Sequence, residues 1–224
     1  MDFLFGGITS GIAILTIFCF IVVMRVRQFS RKLRELTKIH GTCIPHTIFL
    51  MDFYRGSEEL RDRLDLARDF YKETKQVEPR SVKILNVIGK LHGETQPIAF
   101  SNRDELVARG VPQEDIVAYL GKKEKGAADT FTEVELACEW LWQEGLCSAY
   151  TISNLPQLAD AVYCAVFRGI LLHPIITKPH FLWQRPDYLI GRFFMRLLVF
   201  FDPYGINPFS ALMRFRRRHI NNSL

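Results

Sequence analysis

The chain lacks the residue patterns that mark enzymes, metal sites and secreted scaffolds. Cysteine is scarce, with Cys19, Cys43, Cys138, Cys147 and Cys164 the only five in 224 residues. An odd number at irregular spacing excludes a disulfide framework and points to reduced, mostly buried thiols in a reducing compartment. Cys43-x-x-His46 has no second half at ligand spacing, so no metal is expected. His-Glu-x-x-His, Gly-x-Ser-x-Gly and Gly-x-Gly-x-x-Gly are all missing. Gly121 and Gly126 have the spacing of a phosphate loop, but Ala127 and Ala128 stand where lysine and a hydroxyl are required. No cofactor fingerprint remains. No fixed-period repeat exists either, which excludes a solenoid.

Acidic charge is scarce at the two ends, with Asp2 and Glu35 in residues 1–40 and Asp202 in 188–224. The formal net charge of +5 is concentrated in residues 1–40 and 188–224, which flank a mildly acidic body. Charge distributed this way acts on local partners, and the whole-chain balance says little about nucleic acid.

What is present begins with Phe3 to Met24, an uncharged apolar run of 22 residues. As a helix it would extend about 33 Å, the thickness of a bilayer core. It runs directly into Arg25, Arg27, Arg31, Lys32, Arg34 and Lys38. That pattern predicts an uncleaved transmembrane anchor followed by a basic juxtamembrane helix, with the N-terminus outside and the body on the cytoplasmic or matrix side. Gly7 and Gly11 form a small-residue pair suited to helix–helix packing, including self-association.

The body, 41–187, reads as a series of short helices. Residues 45–54 are an apolar run of either strand or helix type. In 57–75, Leu60, Leu64, Ala67 and Tyr71 recur at helical spacing, with Glu59 and Arg63 as an i,i+4 pair on the solvated face. Val82, Leu85, Ile88 and Leu91 make another helical stripe. Asn102-x-x-Glu105 and Thr132-x-x-Glu135 read as capping boxes, and Pro156 opens a core helix to 172. A small strand pair is expected near 96–101 and 148–152. Residues 104–120 have the outline of a helix-turn-helix, with Leu106, Gly110, Val111 and Ile116 as packing positions. Its second helix would open on Gln113, Glu114 and Asp115, whose carboxylates repel phosphate, so nucleic acid is not an expected partner.

The last segment, 188–224, predicts an amphipathic basic helix. Arg192 and Arg196 share a narrow face with Val199, while Phe193, Phe194, Leu197 and Phe201 lie on the apolar remainder. Arg214, Arg216, Arg217 and Arg218 follow. Such a helix suits a membrane interface with anionic lipid, or a groove on a partner subunit.

The sequence alone therefore predicts a mainly α protein: one N-terminal transmembrane helix, a small multi-helix domain and a C-terminal amphipathic helix. The expected role is a non-enzymatic accessory or scaffold subunit of a membrane complex. The rival expectation is a membrane-bound enzyme on a lipid or lipid-linked substrate, with groups such as Asp187 and His173 or His180 converging. A membrane-tethered regulator is a third.

Overall fold

Apolar runs that periodicity reads as helix, or as either type, become strands in the computed structural model. It describes residues 2–41, 44–51, 57–77, 82–90, 94–122, 124–127, 129–178 and 186–206, with side chains in the first helix from Leu15 onward. The elements in order are α1 (Asp2–His40), β1 (Thr47–Leu50), α2 (Glu58–Val77), β2 (Lys83–Asn86), α3 (Ile98–Ala108), β3 (Ile116–Ala118), α4 (Thr130–Gln143), β4 (Ser148–Ser153), α5 (Leu155–Phe167), β5 (Leu171–Ile176) and α6 (Pro186–Phe201). The strands form one five-stranded sheet, β3-β2-β1-β4-β5. Every pair in it is parallel.

This overturns the mainly α expectation. The chain is an α/β protein, and the reason lies in the burial of its sheet. Parallel strands covered on both faces carry apolar residues at every position, so they show no alternation. Ile48, Phe49 and Leu50 are all fully buried, and Ile84 and Leu85 of β2 likewise. The stripe at Val82, Leu85, Ile88 and Leu91 fits a helix only because a four-residue strand samples too few positions to contradict it. The second half of the supposed helix-turn-helix is a single 3-10 turn at Gln113–Asp115 leading into β3. Residues 148–152 do form a strand, β4, but its neighbours are β1 and β5, while Ile98 to Ser101 open α3.

Helices cover both faces. On one side Phe49, Met51, Leu85, Val87 and Ala149 pack against Phe131, Val134, Cys138 and Leu141 of α4 and Ala161, Cys164 and Ala165 of α5. On the other, Ile48, Leu50, Ile84 and Ile152 meet Leu60, Leu64, Ala67 and Tyr71 of α2 and Leu106 of α3. The stripe read from the sequence of α2 is therefore its buried face.

Below the sheet, at the amino edge, Asp115 ties α2 to the strands. Its carboxylate accepts from Tyr71 Oη at 2.5 Å and from Lys75 Nζ, with Lys83 Nζ at 3.7 Å. Burial pushes this carboxyl up, but the bonds from Lys75 and Tyr71 and the nearby ammonium charges outweigh burial and hold it below its ordinary range. Burial and the same carboxylate raise the Tyr71 phenol, and the bond to Asp115 raises the Lys75 ammonium.

The expected membrane span is also corrected. Among the described residues no helix is long and apolar enough to cross a membrane. The single-pass assignment falls with it, and so does the membrane placement with an outside N-terminus. Cations interrupt the described apolar stretch from Arg25 onward, and α1 is part of the fold. Phe29 stacks on Tyr163 with ring centroids 4.9 Å apart, and Phe18 packs on Phe201 at 5.7 Å. Lys32 donates to the Phe167 carbonyl at 3.5 Å and lies over the Phe167 ring. Lys32 and Phe29 thus hold α1 against α5.

Candidate functional site

Strand order locates the site. From β1 the chain steps outward to β2 and β3 on one side; β4 and β5 lie on the other. That is the order of a doubly wound α/β sheet, whose ligands sit beyond the carboxyl ends of the strands where the winding reverses. Here the reversal lies between β1 and β4.

A buried polar cluster stands there. Arg63, one turn into α2, is fully buried. Its guanidinium donates to the Met51 carbonyl at the end of β1 (2.9 Å), to Glu59 Oε1 (2.5 Å) and to Gln157 Oε1 (3.3 Å). Asn154 follows β4 and donates from Nδ2 to Glu59 Oε1 at 2.7 Å. Ser153 Oγ donates to Gln157 Oε1 at 3.0 Å, and Gln157 Nε2 donates to Glu133 Oε2 on α4 at 3.3 Å. Glu59, Glu133, Asn154 and Gln157 are each less than 5 % exposed. Three helices and two strand ends are thereby cross-linked by charge-assisted hydrogen bonds.

Local sequence explains the geometry. Asn154 caps α5, accepting from the Gln157 amide at 3.1 Å, with proline in the first turn of the helix. Asp129 caps α4 in a reciprocal box with Thr132. The box falls three residues earlier than Thr132-x-x-Glu135 predicts, because Thr132 is the responding residue and Asp129 the cap. Beside the crevice Gly89 touches the backbone of Lys125 and Gly126, where no Cβ would fit, and this lets β2 extend to the bridge between Ile88 and Ala127. A groove of about 470 Å³ opens between α2 and α3, lined by Leu60, Leu64, Ser101, Asn102, Glu105 and Arg109.

The residues singled out from the sequence lie elsewhere. On α6, Arg196 pairs inward with buried Asp160 at 3.5 Å and Val199 is in the core, while Phe193, Phe194 and Leu197 face out. Arg196 and Val199 thus lie on the docking side of α6, and Phe193 and Phe194 on the exposed one. Arg192 lies on α6, its side chain outside the described residues, as are Arg214, Arg216, Arg217 and Arg218. Of the basic run, Arg25 donates to the Phe201 carbonyl at 3.1 Å, Arg31 pairs with Glu35, Arg34 donates to the Ser30 carbonyl, and Arg27 and Lys38 are exposed. Gly7 and Gly11 are in α1, their surroundings outside the described side chains. His173 sits in β5 beside the Tyr150 ring, and burial pushes its imidazole below the ordinary range. His180 and the Asp187 side chain are outside the described residues.

Sequence reasoning missed the cluster. Its one visible signal was the Glu59–Arg63 pair, which looks like any surface i,i+4 pair until β4 and α5 close over it. No known family matches this chain, and no curated protein or solved structure matches it.

Proposed function

We propose that this chain is a binding domain for a small polar molecule, held above the carboxyl ends of β1 and β4. The observation that supports this reading is the coincidence of two features: the reversal of winding between those strands, and the buried cluster of Arg63, Glu59, Gln157 and Asn154 directly at their ends. The absence of a glycine fingerprint argues against a dinucleotide as the ligand. Screening polar metabolites by thermal shift tests the reading. A ligand at a hundredfold its Kd adds about 2.7 kcal/mol of stability, and its hydrogen-exchange protection should fall on residues 57–63 and 153–157. Protection confined to other segments, or no stabilising compound at all, overturns it.

The exposed apolar row favours a second reading, an accessory role through docking on another chain. Leu15, Ile17 and Phe20 of α1 and Ile190, Phe193 and Phe194 of α6 are each more than half exposed, and rows of this kind mark interaction surfaces. A second copy is the simplest occupant. Light scattering should then give a mass above the monomer that falls in the Phe193→Ser/Phe194→Ser double variant. A monomer mass for the parent chain overturns it.

A further inference from the structure

We propose that Cys147 is a nucleophilic modification site for small soft electrophiles, with His40 as the base that takes its proton. The Cys147 Sγ lies 3.0 Å from Nδ1 of His40, across 107 positions of sequence. Both side chains are half-buried, so the sulfur is held in place and reachable. His40 stands in the last turn of α1. With the proton on the imidazole, the sulfur is the thiolate, which is the nucleophilic form.

The other described thiols lack this arrangement. Cys138 and Cys164 are buried, and burial pushes both thiols up to about 12. Cys19 is exposed among the apolar side chains of α1. Cys147 immediately precedes β4, and its carbonyl accepts from the Leu171 amide at 2.9 Å. The pair therefore lies at the amino edge of the sheet, opposite the proposed ligand crevice and independent of it. In the reaction the sulfur forms a bond to the electrophilic carbon, the bond from that carbon to its leaving group breaks, and the imidazole passes the thiol's proton to water. The adduct displaces the sulfur from His40 and loosens the end of α1 from β4.

Limiting iodoacetamide at neutral pH, followed by peptide mass spectrometry, tests this on the full chain carrying Cys43→Ser to remove the thiol nearest in sequence to His40. Cys147 should hold most of the label and react about tenfold faster than free cysteine. His40→Ala and His40→Asn should both lower its rate to that of free cysteine. Loss of a merely structural contact would instead expose the sulfur and speed its labelling in His40→Ala. The parent protein should also show ultraviolet thiolate absorbance that Cys147→Ser removes. Labelling no faster than free cysteine, or an unchanged rate in His40→Asn, overturns the proposal.

Discussion

Arg196 of α6 reaches the buried carboxylate of Asp160 on α5, Nε to Oδ1 at 3.5 Å. Three residues along, Val199 is 2 % exposed in the core. The two contacts orient α6, turning Arg196 towards α5 and Phe193 and Phe194 outward. Arg196→Met is expected to lower stability by roughly 1 kcal/mol, since Arg196 is more than half exposed and water screens the pair. Asp160→Asn should cost a similar amount, and the double variant should cost less than the two losses added. Urea denaturation of the three variants measures the coupling, and strict additivity would show that the pair contributes nothing.

Arg63 carries a larger share. Arg63→Met leaves Glu59 buried without its cation, and a broken buried pair costs about 3–5 kcal/mol. Adding Glu59→Gln should recover part of that loss, because the uncompensated charge is gone. Equilibrium unfolding of the single and double variants decides the point. Recovery distinguishes electrostatic from packing loss, since both variants remove the guanidinium.

The Asp115 cluster predicts an acid dependence. Its carboxyl is held below the ordinary value in the folded state, so its stabilisation is fully present above about pH 4, the range of an unfolded aspartate. It is lost as pH falls through the folded value, because the unfolded chain binds the proton first. Asp115→Asn should therefore be less stable than the parent near neutrality, and the difference should narrow below about pH 4. Urea midpoints measured across that range check the sign.

Gly89 is irreplaceable by a geometric criterion. A Cβ there would stand 1.8 Å from the Lys125 carbonyl oxygen, so backbone itself must move. Gly89→Ala should cost more than about 2 kcal/mol. Gly145 is a control, with φ of +69° and open space where a Cβ would stand. Gly145→Ala should cost only about 1 kcal/mol, the price of the backbone conformation. Thermal melts of the two variants compare steric and conformational terms directly.

Helices were largely legible in the sequence, and the sheet was not. Leu60, Leu64, Ala67 and Tyr71 are the buried face of α2 because an amphipathic helix at the surface writes its own period into the chain. β1 and β2 write nothing comparable, since both faces of each are covered. β5 was hidden further by Pro174, which removes a ladder donor; its position on an edge strand tolerates the missing amide. The site was less legible still. Glu59, Arg63, Glu133, Asn154 and Gln157 come from three helices and a strand end, and nothing in their spacing shows that they meet. The exposed apolar rows of α1 and α6 are evident in the sequence, but the single-pass span read from α1 did not survive the structure.

The place of β1 at the centre of the sheet also sets a timetable for synthesis. Ile48 pairs with Ile84 on one side and with Tyr150 on the other, so one partner emerges from the ribosome soon after β1 and the other roughly a hundred residues later. Such distant pairings close slowly. Until Ser148–Ser153 is made, the open flank of β1 offers unmet backbone groups to any passing strand, and Glu59 and Arg63 lack their partners Asn154 and Gln157. A nascent chain halted before β4 is thus a sticky half-sheet, and a chaperone that shields it should engage the growing polypeptide between the exits of β3 and β4.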